Sequence, residues 1–411
     1  MKTINSKTFL NFNPRRVPSP CFVVDAGVIE DNLAILHDLQ EQSGAKVLVA
    51  LKAFSMFKLA PLFNRYLSGS CASGTYEAKL AYDYYGGKEQ GNNHKEVHVY
   101  SPAFKQADID ALIQIADHLV FNSPSQWFRF KDQLLKAKQN KPQLSFGLRI
   151  NPMVSTGDHN LYDPCVEGSR LGMNKALFKQ YFSTNDALEG IDGLHFHTLC
   201  EQGFDALEPT LKAVEEQFAD ILPSMKWLNF GGGHHITKAD YDREGLIQTI
   251  KRIRQQYELA VYIEPGEAVA IHSGVLVTEV LDITENGMPI AILDASATCH
   301  MPDTLEMPYR AEILLGNNSH RVAGTLKEKP NHYRLGGQTC LAGDVMGDYS
   351  FDHPLKIGDR LMFDDMSHYT MVKTTTFNGM PLPSLAIWHS KTDTFEIIKQ
   401  FHYNDFENRL S

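Results

Sequence analysis

A lysine follows the apolar run VLVAL at Lys52, three glycines follow WLNF at Gly231, Gly232 and Gly233, and an acid closes VYIE at Glu264. Each could do chemistry, and each has an ordinary alternative. An amine after five apolar residues is partly desolvated and available as a neutral nucleophile able to form a Schiff base. It could equally be a lysine whose stem covers apolar surface while its head reaches water. Three glycines between a strand and a helix let backbone N–H groups turn inward around an anion such as phosphate; tight turns also use glycine. Glu264 stands in the run EPGE, and a buried carboxylate needs a cationic partner. A protonated pyridine nitrogen would serve, at on the order of 4 kcal/mol for an effective dielectric near 20, and so would an Arg or Lys. His195 and His197 of GLHFH alternate along one strand and point to the same side. One could lie flat against an aromatic ring, or both could be satisfied core residues.

Combined, an amine, an anion cradle and an acid for a ring nitrogen are the three anchors of pyridoxal 5′-phosphate (PLP). In that chemistry the lysine holds the aldehyde, a substrate amine displaces it, and the protonated ring accepts the electrons left when a bond at Cα breaks. No metal is expected, because the two histidines lack a third ligand at recognisable spacing. The six cysteines are scattered without a C-x-x-C pair, which argues against a zinc site or a disulfide framework.

These residues need strands to carry them. Short apolar runs occur at 47–51, 71–73, 97–101, 118–122, 146–151, 193–197, 227–230 and 261–264, with helix-length segments between them. Strands alternating with helices predict an α/β fold, a (β/α)8 TIM-type barrel, over residues 27–264. Active sites of such barrels lie at the C-terminal strand ends, and there the sequence sets Lys52, Ser73, Ser101, Asn122, Arg149 with Asn151, His197, Gly231 to Gly233, and Glu264. From about residue 265 the pattern becomes β-rich (SGVLVTEVLDIT, IAILDASA, AEILLG, DRLMFD, LAIWH). This predicts a second, all-β sandwich or barrel domain of residues 1–26 plus 265–411, which the strand at 21–24 joins.

A chain of 411 residues with 43% hydrophobic and 21% charged residues has the composition of a globular protein, which excludes disorder and fibrous arrays. A net charge of −10 disfavours nucleic acid as a partner and favours cationic substrates. No apolar run reaches the ~18–20 residues of a membrane span and the first residues lack an export-type apolar stretch, so no membrane partner and a cytoplasmic location are expected.

The motifs ALKAF, CASGTYE, LRINP, GLHFHTLCE, LNFGGGHH and YIEPGEA, followed by GGQTCLAGD and SHYTMVKTTTFNG, resemble the fold-type III PLP enzymes of the alanine racemase and ornithine/diaminopimelate decarboxylase group. The resemblance extends over nearly the whole chain. It implies Lys52 as the Schiff-base lysine, His197 stacked on the cofactor ring, Glu264 on the pyridine nitrogen, and Gly231 to Gly233 with Tyr369 around the phosphate. It also implies a homodimer with shared active sites, in which the loop of Cys340 and Asp344 enters the partner's site. There the cysteine donates a proton to the decarboxylated carbon and the aspartate stands near the substrate amine. Two positions depart from the group's pattern: Glu267 stands where Arg usually follows EPG, and Leu341 where diaminopimelate decarboxylases carry Glu. The missing receptor for a distal carboxylate disfavours diaminopimelate, whereas Glu267, Asp344 and Glu201 suit the amines of a polyamine tail; the resemblance implies a small carboxylated polyamine as substrate. A diamino acid such as diaminopimelate, or an inactive regulatory homologue, is the alternative.

Overall fold

The computed structural model describes residues 8–157, 160–184, 186–316 and 322–411. The chain forms two compact units, residues 32–269 and residues 1–31 with 270–411. Strand β1 (Cys21–Asp25) lies in the second of these, and helix α1 (Ala26–Ser43) follows it.

The first unit is a closed parallel barrel of β2 (Lys46–Ala50), β3 (Gly69–Ala72), β4 (Glu96–Tyr100), β5 (His118–Phe121), β6 (Ser145–Arg149), β7 (Ile191–His195), β8 (Trp227–Asn229) and β9 (Ala260–Ile263). Each strand pairs with the next, and β9 pairs back with β2 through Val47↔Ile263. All eight runs read from the sequence are strands. Between them lie α2 (Ala60–Tyr66), α3 (Thr75–Tyr84), α4 (Gln106–Ile115), α5 (Pro124–Asn140), α6 (Lys175–Tyr181), α7 (Leu207–Phe218) and α8 (Arg243–Tyr257).

Local sequence explains the helices. α5 starts where Ser123 caps the Gln126 N–H and Pro124 takes the first helical position, a place that needs no N–H donor. α7 buries Leu207, Leu211, Val214 and Phe218, one helical stripe turned to the barrel. The strands β5 and β7 are buried at every residue, as expected of parallel strands covered on both faces. Trp227 fills the barrel interior, and a Cβ on Gly147 or Gly193 would lie 2.2 or 2.0 Å from its ring. Glycine on β6 and β7 is therefore what admits the indole. Next to the indole, at 4.9 Å, lies His118; His98 stacks on His118 at 3.8 Å and meets Glu96 at 2.8 Å, which also pairs with Lys46.

The second unit is a mostly antiparallel sheet. It contains β1, β10 (Gly274–Glu285), β11 (Pro289–Leu293), β12 (Ile313–Leu314), β13 (Asn331–Gly336), β14 (Val345–Phe351), β15 (Arg360–Asp364), β16 (Ser384–His389) and β17 (Thr394–Lys399). The path runs β14-β13-β11-β10-β1-β16-β17, with β15 joining β10 to β12. β1 is antiparallel to β10 and parallel to β16, so the strand that opens the chain is built into the sheet formed at its far end. Phe9, Phe12, Val23, Val277, Met362 and Trp388 share one core cluster. Among the described residues no helix is long and apolar enough to cross a membrane.

Candidate active site

The C-terminal strand ends of the barrel gather Lys52, His197, the glycine run and Glu264. Lys52 stands two residues beyond β2, on a turn closed by the Leu51 N–H to Cys71 O (3.0 Å) and the Ala53 N–H to Ala50 O (3.1 Å). The side chain is exposed. This corrects the expectation of a desolvated amine: five apolar residues bury the strand, but the turn carries Lys52 clear of it.

Glu264, directly after β9, is held by side chains from β8 and β7. Asn229 Nδ2 donates to Oε1 at 2.7 Å, and His195 Nε2 lies 3.4 Å from Oε2. Burial pushes the carboxyl up, but His195 and Asn229 outweigh it and bring it down to about 2. Burial in turn lowers the pKa of His195, only partly offset by Glu264. At neutral pH the pair is thus a carboxylate beside an uncharged imidazole that donates its Nε2–H, leaving one negative charge in the cup.

His197 is likewise held uncharged, by burial first and then by the cations Lys52 and Arg149. Its Nδ1 accepts the Gly232 N–H at 2.8 Å, which fixes the Nε2–H tautomer. Buried Arg149 donates to the His197 carbonyl at 3.1 Å and lies 4.4 Å from the centre of the Tyr100 ring. The Tyr100 ring stacks on His195 at 5.5 Å.

The glycines work differently from the expected cradle. Gly231 N–H donates to Asn229 Oδ1 at 2.8 Å and Gly232 N–H to His197, so two of the three amides are taken by the protein and not turned toward an anion. Gly233 is the one whose N–H finds no acceptor among the described residues. Close approach explains the residue type: a Cβ on Gly232 would lie 2.3 Å from Glu264 O, and on Gly233, at φ +84°, 2.0 Å from Leu199 O. The triple glycine lets the exits of β7, β8 and β9 touch, and this sets His197 and Glu264 relative to each other.

Beyond the glycines, the exits of the same three strands bring together Glu201, His235 and Glu267, each with a ligand-type atom within 4.8 Å of the others. His235 Nε2 is 3.2 Å from Glu267 Oε1, and Glu201 holds left-handed backbone at φ 54°. Two of the acids expected at a polyamine tail are therefore neighbours. Asn122 and Asn151 serve the loop after β6: Asn122 bonds Arg170 O, Gly172 N and Tyr100 Oη, and Asn151 bonds Pro164 O and Met153 N.

In the other unit Cys340 is exposed, and its N–H donates to Asn378 Oδ1 at 2.9 Å. Asp344 is 4% exposed and accepts from Ser296 Oγ (3.0 Å), Thr298 N (3.2 Å), Thr339 N (3.1 Å) and Thr339 Oγ1 (2.7 Å). The expectation that Asp344 meets the substrate amine is corrected: its oxygens are spent on folding the 339–344 loop that displays Cys340. Tyr369 is half-buried with φ 42°. Sequence reasoning missed Asn229, whose side chain bridges the Gly231 N–H and the Glu264 carboxylate. The signal was a polar residue inside the apolar run WLNF, one strand-step from the end.

Residues 21–367 match the family model described as pyridoxal-dependent decarboxylase, C-terminal sheet domain. The carboxynorspermidine/carboxyspermidine decarboxylase of Campylobacter jejuni is 44% identical over 96% of this chain and 99% of its own. The carboxyaminopropylagmatine decarboxylase of Synechocystis sp. is 42% identical over 97% of each chain. The crystal structure of carboxynorspermidine decarboxylase complexed with norspermidine from Campylobacter jejuni superposes with a TM-score of 0.83 at 42% identity, covering 96% of this chain and 100% of that one. A diaminopimelate decarboxylase from Helicobacter pylori shares the fold, with a TM-score of 0.75 at 17% identity over 96% of this chain and 97% of that one.

Proposed function

The chain belongs to the family of pyridoxal-dependent decarboxylases, and from that membership we propose that it converts carboxynorspermidine or carboxyspermidine to norspermidine or spermidine with release of CO2. PLP, when bound, supplies the ring that takes up the electron pair left by the departing carboxyl group.

The residues fit that cofactor. The ionised Glu264 offers its charge to the ring nitrogen, and the uncharged His197, its tautomer fixed by Gly232, offers a flat face to the ring. Lys52 offers an accessible amine for the aldehyde, while Gly233 and Tyr369 attend the phosphate. Gly231 and Gly232 act through the placing of Glu264 and His197. Glu201 and Glu267, two acids around one imidazole, receive the amines of the tail. That pairing is the observation that carries the substrate reading, because a cationic chain end is what two converging carboxylates bind best.

Two copies share their sites, in the cytoplasm, with no nucleic-acid or membrane partner. The partner subunit's Cys340 delivers a proton to the vacated carbon, and Asp344 holds the loop that presents it. The tail reading is tested by CO2 release from carboxynorspermidine, carboxyspermidine, carboxyaminopropylagmatine, diaminopimelate and ornithine under one set of conditions. The highest kcat/KM is expected on the two carboxylated triamines. A preference for carboxyaminopropylagmatine, the substrate named for the Synechocystis relative, would move the reading to a guanidinium tail. A preference for diaminopimelate or ornithine would overturn it.

A further inference from the structure

Three non-glycine residues of the β-rich unit hold left-handed backbone in one connected patch: His272 (φ 56°), Asp365 (φ 59°) and Tyr369 (φ 42°). Such conformations persist only where the surroundings over-determine them, and they gather where a side chain must be held in one place. Here the Asp365 carboxylate ties the patch together. Asp365 Oδ1 accepts the His272 backbone N–H at 2.6 Å and lies 3.2 Å from His368 Nε2. Oδ2 lies 3.6 Å from His272 Nδ1. Burial pushes the Asp365 carboxyl up, but His368 and His272 outweigh it and hold it below the ordinary carboxylate range, so it keeps its charge.

Neighbouring bonds lock the same turn. Ser367 Oγ donates to Ala270 O at 3.0 Å and meets Ser273 Oγ at 3.0 Å, and the Met366 N–H donates to Gly274 O at 2.9 Å. Residues 365, 366 and 367 are thus each pinned to the 270–274 segment. Just beyond them, the Tyr369 carbonyl accepts the N–H groups of Val372 and Lys373 at 3.1 and 3.0 Å. The chain is fixed on both sides of Tyr369, and Asp365 is the charged group at the root of that fixation.

We propose that Asp365 is a positioning residue: by clamping His272 and His368 it holds the left-handed turn that sets the Tyr369 side chain, and through Tyr369 it sets the affinity for the cofactor's phosphate. The proposal rests on the reading of Tyr369 as a phosphate contact. It is specific to the phosphate, which gives it a test independent of turnover. Apoprotein of the wild type, Asp365→Asn and Tyr369→Phe is titrated with PLP and with pyridoxal, which lacks the phosphate, and thermal unfolding of each apoprotein is recorded alongside.

Asp365→Asn is expected to bind PLP about tenfold more weakly, the size typical of losing a group that orients a ligand contact. Its affinity for pyridoxal and its unfolding temperature should stay near the wild-type values. Equal losses for PLP and pyridoxal would overturn the proposal, as would full PLP affinity in Asp365→Asn beside a weakened Tyr369→Phe. Tyr369→Phe binding PLP as the wild type does would overturn the phosphate reading and the proposal together. His368→Gln leaves the bond from Asp365 to the His272 amide in place. It keeps the test open should Asp365→Asn fail to fold: a selective loss of PLP over pyridoxal is again expected, and absence of that selectivity counts against the proposal.

Discussion

Glu264 keeps its charge while buried because the protein, and not water, solvates it: Asn229 donates at 2.7 Å and uncharged His195 at 3.4 Å. A fixed negative charge at that point would hold a pyridine nitrogen protonated, and an ion contact there contributes on the order of 4 kcal/mol at an effective dielectric near 20. Glu264→Gln keeps the shape and removes the charge. We expect kcat to fall by roughly 10²- to 10³-fold, the rate equivalent of about 3–4 kcal/mol, with bound PLP remaining close to stoichiometric. Steady-state kinetics beside cofactor quantitation checks this, and a kcat within about twofold of wild type would take the ring-nitrogen contact out of the mechanism. Lys52 and Glu264 stand out in the sequence because each is a charged residue beside an apolar run of β type, where burial of the strand makes the charge conspicuous. Asn229 does not, because Glu264, the acid it serves, follows a different strand and only closure of the barrel brings the two within reach. Asp344 was misplaced for a related reason: a carboxylate in a motif looks available until Ser296 and Thr298, more than forty residues away in sequence, are seen to occupy it.

Three consecutive strand exits, those of β7, β8 and β9, meet closely, and the glycine run is the joint between them. Gly233→Ala puts a Cβ into a site 2.0 Å from Leu199 O on a backbone at φ +84°, so the segment must move. We expect a loss of about 1–3 kcal/mol in stability together with weaker PLP binding, because Leu199 lies between His197 and Glu201. Gly74→Ala is the control, since its Cβ would meet nothing within 4 Å; it should change stability by no more than about 0.5 kcal/mol. Urea unfolding and PLP titration of both variants decide the matter, and a Gly233→Ala protein as stable as Gly74→Ala would mean that the exits do not constrain one another. Most barrel strands, with β3 (GSCA) leaving the faintest mark, were readable as elements because parallel strands buried on both faces are largely apolar runs. β14 and β17 were not: VMGDYSF mixes glycine and acid into its run, and TFEIIK has no buried residue. Such strands are specified by pairing with a neighbour and leave little mark in hydrophobic pattern.

At the scale of the whole molecule, the proposed site residues divide between two units of the chain. Lys52, His197 and Glu264 belong to residues 32–269, while Cys340 and Tyr369 belong to residues 270–411. The proposed assembly puts Lys52 of one subunit and Cys340 of the other into each site, so two defective chains should repair each other. Lys52→Ala and Cys340→Ala homodimers are each expected to be nearly inactive in forming the triamine. In a dimer with one chain of each kind, one site carries both lesions and the other carries none. Random exchange of an equal mixture makes about half the dimers mixed, each with one intact site of two, so recovery should approach about a quarter of wild-type activity. The yield must rise with time of subunit exchange and stay absent when the two homodimers are assayed immediately after mixing. If Cys340 serves the site of its own chain, no mixture recovers anything, because every site then retains one lesion. The recovered fraction therefore separates a shared site from a self-contained one without reference to how the two units of a single chain are arranged.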